Sequence, residues 1–380
     1  MELRMYEYRL YPSIKQVSRL NKIFTHCKFV YNELLGLNKT LWTTNKYDFD
    51  SLVMDLKICS PEIGEEVHSQ VLQNVSDRLS KSFNNFFSRI KLKKKGNIIK
   101  AGFPRFKRKI GSITYPQSGF KFLSDKKLKV SKIGSIPIIL HRVPKGKIKT
   151  LTIKCNSANQ WFAVFSSEVE IPVVIHPSDK KIGIDVGLEK FLTNHKGESV
   201  VNQRFFLHAE RKLAKLQRIN SKKIRGSRNK EKARIKLARQ HLKVFNQRTD
   251  FLHKITNSLT KEYKIICGEQ LNIKNMVKTN LAKHILDVSW GRFYQMLSYK
   301  AVTCGGEIRK NPKTRGSSHR CSSCGHYVEE MPLRKRKFLC PKCGLSCHRD
   351  KNASMNHIKD TDGLSEINTP LEIQPLSLHL

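Results

Sequence analysis

The sequence has no run of about 18 or more apolar residues and no charged start followed by an apolar middle of the signal-peptide kind. A membrane-spanning or exported chain is thereby set aside, and a soluble cytoplasmic protein is expected. Acid is scarce: 31 Asp and Glu stand against 72 Lys and Arg, leaving a formal charge of +41. So large an excess is more than solubility needs and calls for a polyanionic partner. An acidic membrane surface is the competitor, and the missing apolar anchor counts against it. Disulfide rhythm is missing too. Of the ten cysteines, Cys27, Cys59, Cys155, Cys267, Cys304 and Cys347 are scattered, which suits a reducing compartment. No internal repeat is present, so the chain is not an array of like units. Its 380 residues, 39% of them hydrophobic, suffice for two or three domains with buried cores.

Organisation changes several times along the chain. Residues 2–11 alternate with the period of a strand and stop at Pro12. Ser13 can cap a helix carrying Val17, Leu20, Ile23, Phe24 and Cys27, and a second long helix is expected between about Glu65 and Lys94. In it Phe83, Phe86 and Phe87 fall on one face, a spacing that favours core packing over base stacking. Residues 91–109 form a basic loop punctuated by glycine and proline, with Phe103 and Phe106 between cations, a pattern suited to phosphate contact. Short β-rich runs at 127–130, 136–140, 151–154 and 161–165 suit a barrel or a sandwich that includes the N-terminal strand. Pro172 and Pro177 mark a boundary.

Beyond it, residues 181–188 read as a buried strand carrying one acid, followed by a hairpin through the Lys196-Gly197 turn. Two long helices are predicted over 206–260, broken near Gly226 and Ser227. Leu213, Leu216 and Ile219 line one side of the first. Between Arg211 and Lys243 the helices are crowded with Lys and Arg, with almost no acid at i, i+4 to relieve the repulsion, so a nucleic-acid-facing surface is favoured over a merely solvated one. Residues 264–269 form another strand ending on an acid, and Ser289 opens a further helix.

The strongest local signal is Cys321-x2-Cys324 followed by Cys340-x2-Cys343. Thiolates at this spacing bind one ion from a tight turn, and two such turns close a tetrahedral structural zinc site. Cys347 and His348 lie close enough to swap in as ligands, but the two clean turns favour the four cysteines. Arg315, Arg320, Arg334, Lys335, Arg336 and Lys337 surround the knuckles and make a nucleic-acid grip plausible. Asp185, Glu269 and Asp350 then form a candidate acid trio. Singly each is weak: Asp185 fits an ATPase strand, Glu269 an ordinary strand end, Asp350 a helix N-cap. Together, an acid within a strand, a second ending a later strand and a third opening a final helix make the layout of an RNase H-type fold. There carboxylates hold two Mg²⁺ ions about 3.5–4 Å apart, which activate water and stabilise the leaving oxygen. Bound metal also reconciles acids with phosphate binding in so basic a chain.

At these residues the chain resembles the TnpB (OrfB) family of bacterial and archaeal insertion sequences, and through it the compact type V CRISPR effectors. The similarity runs through Tyr8 to Pro12 with Gln16, Lys28 to Leu35, Gly102 to Lys107, Gly183 to Leu188, Ser289-Trp290, the double knuckle and Arg349 to Ala353. It implies an α+β multidomain protein. An N-terminal β-barrel (1–12 and 100–175) would carry an inserted helical lobe (13–99). An RNase H-like (RuvC) α/β nuclease domain (178–310 and 345–360) would carry an inserted zinc ribbon (311–344), ahead of a flexible tail (361–380). Asp185, Glu269 and Asp350 would be the catalytic Mg²⁺ ligands, and Cys321, Cys324, Cys340 and Cys343 the zinc ligands.

The partners implied are a guide RNA from the transposon end and double-stranded target DNA bearing a short flanking motif, with base pairing carrying most of the specificity. A monomer with its RNA is the expected assembly, acting at the nucleoid. One departure stands out. The family commonly has Glu-Asp-Leu at the second acid, where this chain has Glu269-Gln270-Leu271. A charge beside the site is lost while the ligand itself is kept. An RNA-guided repressor that binds without cutting and a strand-joining transposase are the alternatives; the presence of all three acids argues against the first.

Overall fold

The computed structural model describes residues 2–41, 43–170, 174–311, 316–332 and 334–362, and these fall into two compact units divided between Ile171 and Pro172. Pro172, Arg315 and the tail beyond residue 362 lie outside the described residues.

In the first unit, β1 (Glu2–Leu10) is followed by α1 (Ile14–Leu41), α2 (Lys46–Cys59), α3 (Pro61–Glu66) and α4 (Ser69–Lys94). Six strands complete it: β2 (Ser112–Tyr115), β3 (Phe120–Ser124), β4 (Lys127–Val130), β5 (Gly134–Ile139), β6 (Lys147–Cys155) and β7 (Trp161–Val169). They make one seven-stranded antiparallel sheet in the order β2-β6-β7-β1-β5-β4-β3. The first strand of the sequence is thus an interior strand of the sheet. Its alternation explains that place: Tyr6, Tyr8 and Leu10 point into the core while Glu7 and Arg9 do not. The start of α1 is closed by a capping box in which Ser13 Oγ accepts from the Gln16 backbone N–H and Gln16 Oε1 accepts from that of Ser13.

The aromatic stripe of α4 divides. Phe83 is buried, but Phe87 is 41% exposed and Phe86 packs edge-on against Phe103 of the basic loop, ring centroids 5.2 Å apart. Only part of that face is core, because the loop lies along the rest of it. Asn32 pins the same loop by a reciprocal pair of hydrogen bonds with the Lys107 backbone.

The second unit opens with β8 (Lys181–Val186), β9 (Lys190–Asn194) and β10 (Ser199–Val201), then α5 (Phe205–Ser221) and α6 (Arg228–Glu262). There follow β11 (Ile265–Glu269), α7 (Ile273–Met276), α8 (Ala282–Val288), α9 (Trp290–Thr303), β12 (Glu307–Asn311), β13 (Lys337–Leu339), β14 (Ser346–His348) and α10 (Arg349–Thr361). Five strands form a mixed sheet in the order β10-β9-β8-β11-β12, with β8, β11 and β12 parallel and β9 antiparallel to β8. Ile182 and Ile184 of β8 join Phe191, Leu252, Ile266, Phe293 and Leu297 in a core between the sheet and helices α6 and α9. Alternation sends Gly183 and Asp185 to the opposite face, where α10 packs.

The predicted break between the two long helices is real. Gly226 takes a left-handed φ of 86° and Ser227 caps α6 by accepting from the Lys230 N–H. Leu213 and Leu216 of α5 are buried; Ile219, placed with them above, is 40% exposed near the end of the helix.

Candidate nuclease site and cysteine cluster

Asp185 and Glu269 are brought side by side by strand register. β8 and β11 run parallel with Gly268 opposite Ile184, so the next residue on each strand is Glu269 and Asp185, both on the α10 face. The helix reaches them because it runs antiparallel to β8. Asp362 beyond its C-terminus pairs with Lys181 at 2.9 Å, and its first turn carries Asp350 toward the far end of the strand. Between these points Gly183 lies against the Ser354 carbonyl and Ile358.

Asp350 is not the N-cap of α10. That place belongs to His348, whose Nδ1 accepts from the Asp350 N–H at 3.2 Å, so the imidazole is engaged in capping. The Asp350 carboxylate in the first turn is left 19% exposed, as is that of Asp185.

Electrostatics couples the three acids. Burial raises the Asp185 carboxyl above the usual carboxylate range, His357 opposes this, and the neighbouring Asp350 charge adds to it. Glu269 is raised as well, first by burial and then by the charge of Asp185. The donor set is oxygen throughout, the kind that suits a hard cation such as Mg²⁺, and mutual repulsion between half-buried carboxylates is what such a cation relieves. The three carboxylates are not all gathered this closely: among the described residues, the group of three or more acidic, histidine or cysteine ligand atoms lying within 4.8 Å of one another is that of the four knuckle cysteines.

In that cluster Cys321 and Cys343 have their sulfurs 3.6 Å apart, and Cys324 and Cys340 theirs 3.5 Å apart. Zinc–thiolate bonds of about 2.3 Å in a tetrahedron place sulfurs roughly 3.8 Å apart, so the thiols are close to the required frame and far from disulfide spacing. The two knuckles are built alike. In each, the glycine after the second cysteine, Gly325 or Gly344, donates its N–H to the first cysteine's carbonyl at 3.0 Å with φ near +75°. The glycine that directly follows each Cys-x2-Cys pair is a local sequence signal for this turn that cysteine spacing alone does not use. The Cys343 thiol is pushed down to about 6 by the Leu345 backbone N–H and by hydrogen bonding from Cys324. Cys347, on β14 opposite Phe338, is not among the thiols gathered in the cluster.

Helix α10 joins the cysteine cluster to the acids through two stripes. Asp350, Ser354 and His357, at i, i+4 and i+7, face the sheet. Asn352, Asn356 and Lys359 face the first knuckle. The Asn352 amide accepts from Ser322 N–H at 2.8 Å and donates to the Arg320 carbonyl at 2.7 Å; Asn356 donates to the carbonyls of Arg320 and Ser317; Lys359 donates to that of Ser322. The second knuckle enters the helix directly through β14. Neither asparagine shows this role in the sequence, although Asn352 lies in the Arg349 to Ala353 stretch, because each acts only on backbone brought near by the fold.

Some basic residues near the knuckles have other duties. Arg320 is ion-paired at 2.5 Å to a buried Asp360, and Arg336 at 2.8 Å to Glu189. Of the cations expected to make the ribbon a nucleic-acid grip, Arg320 and Arg336 are thus engaged with carboxylates of the same unit, while Arg334, Lys335 and Lys337 are exposed. On α5, α6 and the turn between them, Arg211, Lys215, Arg218, Lys222, Lys223, Arg225 and Arg239 are exposed as predicted. No described helix is long and apolar enough to cross a membrane.

Three family models and several known proteins match the chain. Residues 165–280 match the OrfB_IS605 family model, described as "Probable transposase", residues 1–46 match that family's "Helix-turn-helix domain", and residues 290–357 match a "Cas12f1-like, TNB domain". Over residues 1–46 the described structure is one strand and one helix. A Streptomyces pristinaespiralis protein named "Putative RNA-guided DNA endonuclease" is 30% identical over 365 residues, covering 93% of this chain and 88% of its own length. An Escherichia coli K12 protein, "Putative RNA-guided DNA endonuclease InsQ", is 28% identical over 378 residues, covering 93% and 91%. Among solved structures, the mini-RNA-guided endonuclease CRISPR-Cas_phi3 aligns with a TM-score of 0.52 over 95% of this chain and 92% of that one; at 11% identity the likeness is one of fold.

Proposed function

The chain belongs to the OrfB_IS605 (TnpB) family, and from that premise we propose that it is an RNA-guided DNA endonuclease of a transposable element, with Asp185, Glu269 and Asp350 as its metal-binding acids. The observation that carries the assignment of the acids is the parallel register setting Asp185 beside Glu269 on the face closed by α10, with Asp350 in that helix's first turn. Supporting it, the sheet order β10-β9-β8-β11-β12, with the first three strands antiparallel and the last two parallel to the first, is that of an RNase H-like domain. The seven-stranded sheet of the first unit suits the β-barrel, α1 to α4 the helical lobe, and the cysteine hairpins between β12 and α10 the ribbon inserted in the nuclease domain.

Mg²⁺, when bound, would supply an activated water and charge stabilisation for the leaving oxygen of the phosphodiester. The protein's own part is positional. Asp185 and Glu269 offer oxygens from adjacent rigid strands, and Asp350 adds one from a helix whose placement depends on the knuckles. Zinc held by Cys321, Cys324, Cys340 and Cys343 has a structural role, since four thiolates leave no open position. The guide RNA and target DNA lie against the cationic surfaces, with α5, α6 and residues 91–109 holding backbone phosphates.

The test is to incubate the purified protein–RNA complex with matched DNA and Mg²⁺ across a library of flanking sequences. Metal-dependent cutting that Asp185→Ala abolishes is the expected result. Target occupancy with no cut product from wild-type protein would overturn the nuclease reading and leave a guided binding protein.

A further inference from the structure

His357 was absent from the sequence-based site, yet its imidazole is fully buried beside the acids. Its two nitrogens have different surroundings. Nδ1 lies 3.2 Å from the Asn311 amide nitrogen, which also donates to Asp360 Oδ2 at 2.9 Å. A carboxylate accepts only, so the nitrogen of the Asn311 amide must face Asp360. His357 Nδ1 is therefore an acceptor, and a neutral ring carries its proton on Nε2.

That Nε2–H has no partner within hydrogen-bond distance among the described residues, and Asp185 Oδ1 is 3.7 Å away. A buried N–H left unpaired costs about 1–3 kcal/mol, and a shift of under about 1 Å would bring this one into hydrogen-bond range. Hydrogen bonds at reaction centres are often long before the site is loaded. The rest of the network is held firmly. Asp360 Oδ1 takes the Arg320 guanidinium at 2.5 Å, and Arg320 immediately precedes Cys321 of the first knuckle.

We propose that His357 is a positioning residue for the metal site: its Nε2–H donates to Asp185 Oδ1 and fixes the orientation of that carboxylate, while Asn311 and Asp360 fix the imidazole and Arg320 ties the set to the first knuckle. The inference rests on the reading of Asp185 as a metal ligand. Partners behind a metal ligand set its orientation, and their loss typically costs about 10- to 100-fold in metal affinity. A histidine buried only to fill space would contribute to stability and nothing else.

Mn²⁺, detected by electron paramagnetic resonance, serves as the probe, titrated into zinc-loaded protein–RNA complex of the wild type and of His357→Leu, His357→Met, His357→Gln and Asp185→Ala. Thermal unfolding is measured alongside. His357→Leu is expected to weaken Mn²⁺ binding by about 10- to 100-fold, and His357→Gln, which keeps an N–H donor, to recover most of it. His357→Met removes the same donor with a more adaptable side chain and decides the question where His357→Leu does not fold. A folded Leu or Met variant that binds Mn²⁺ like the wild type overturns the proposal if Asp185→Ala has lost binding. Should Asp185→Ala also bind normally, the metal reading of Asp185 falls and takes this inference with it.

Discussion

Gly183 and Ser354 meet backbone to side-chain position: a Cβ on residue 183 would overlap the Ser354 carbonyl oxygen and come within 2.8 Å of Ile358 Cγ1. The missing side chain is what lets α10 lie close enough to β8 for Asp350 to approach Asp185. Gly183→Ala should therefore lift the helix from the sheet, since a helical carbonyl cannot swing aside as a flexible side chain can. Overpacking of this kind costs about 1–3 kcal/mol, and cleavage should fall at least tenfold because one acid is displaced from the other two. Urea unfolding and single-turnover cleavage check the two effects separately.

The knuckles bear on the same helix from its other side. Asn352, Asn356 and Lys359 hold the backbone of residues 317–322, and β14 leads from Cys343 into α10 within a few residues. Since binding energy of a structural zinc ion is folding energy for the segment around it, removing it should misplace Asp350 as well as loosen the hairpins. A double variant, Cys340→Ser with Cys343→Ser, is expected to lose zinc by atomic absorption and to cut at least tenfold more slowly. Wild-type cleavage by a folded, zinc-free double variant would refute this coupling.

Asp287 organises the helices on the opposite face of the sheet. Its buried carboxylate accepts from the Phe206 and Leu207 N–H groups at the start of α5 and pairs with Arg248 of α6 at 2.7 Å. One acid thus caps a helix that has no side-chain cap of its own and neutralises a half-buried guanidinium. Asp287→Ala leaves that guanidinium without its charge partner and should cost about 3–5 kcal/mol, measurable as a lowered urea midpoint with little change in slope.

The turn between α5 and α6 carries Lys222, Lys223 and Arg225, all exposed, and none of them has a carboxylate partner among the described residues. If they bind phosphates, replacing all three by glutamine should weaken RNA or DNA binding about equally for every sequence. The slope of log affinity against log salt should become shallower by up to about 2–3, near 0.7 to 0.9 for each phosphate that a cation no longer neutralises. An unchanged slope would place the nucleic acid elsewhere.

What was legible in the sequence had local causes. Asp185 and Glu269 could be placed on strands because alternation and strand ends are written in consecutive residues, and the knuckles because thiolate spacing is a local property. The strand β12 escaped because Glu307 to Asn311 is mostly polar; it forms by pairing with β11, which no window of its own residues records. Arg320 and Phe86 were read by their type, as a phosphate ligand and a core aromatic, but their partners, Asp360 and Phe103, come from distant segments. His357 and Gly183 belong with them. Their roles depend on how one helix crosses one sheet, and helical periodicity says which residues share a face without saying what that face will meet.

Lys300 gives a test of the core by pH. It lies on α9 with 9% of its surface exposed, and its ammonium donates to the His253 carbonyl at 3.1 Å and to Thr256 Oγ1 at 2.7 Å, with no carboxylate in ion-pair range among the described residues. Burial pushes its pKa down from 10.5 to about 8. Between those values the unfolded chain holds a proton that the folded one has released, so stability must rise with pH across the window, and it is lost again as pH falls through about 8. The contribution is on the order of 3 kcal/mol. Lys300→Met removes the charge that folding must desolvate and keeps an unbranched chain in the same space. Its advantage over the wild type should be largest at pH 7 and should shrink as the pH approaches 10. A stability difference that stays constant from pH 7 to pH 10, measured by urea unfolding of both proteins, would mean that the buried ammonium keeps its proton throughout.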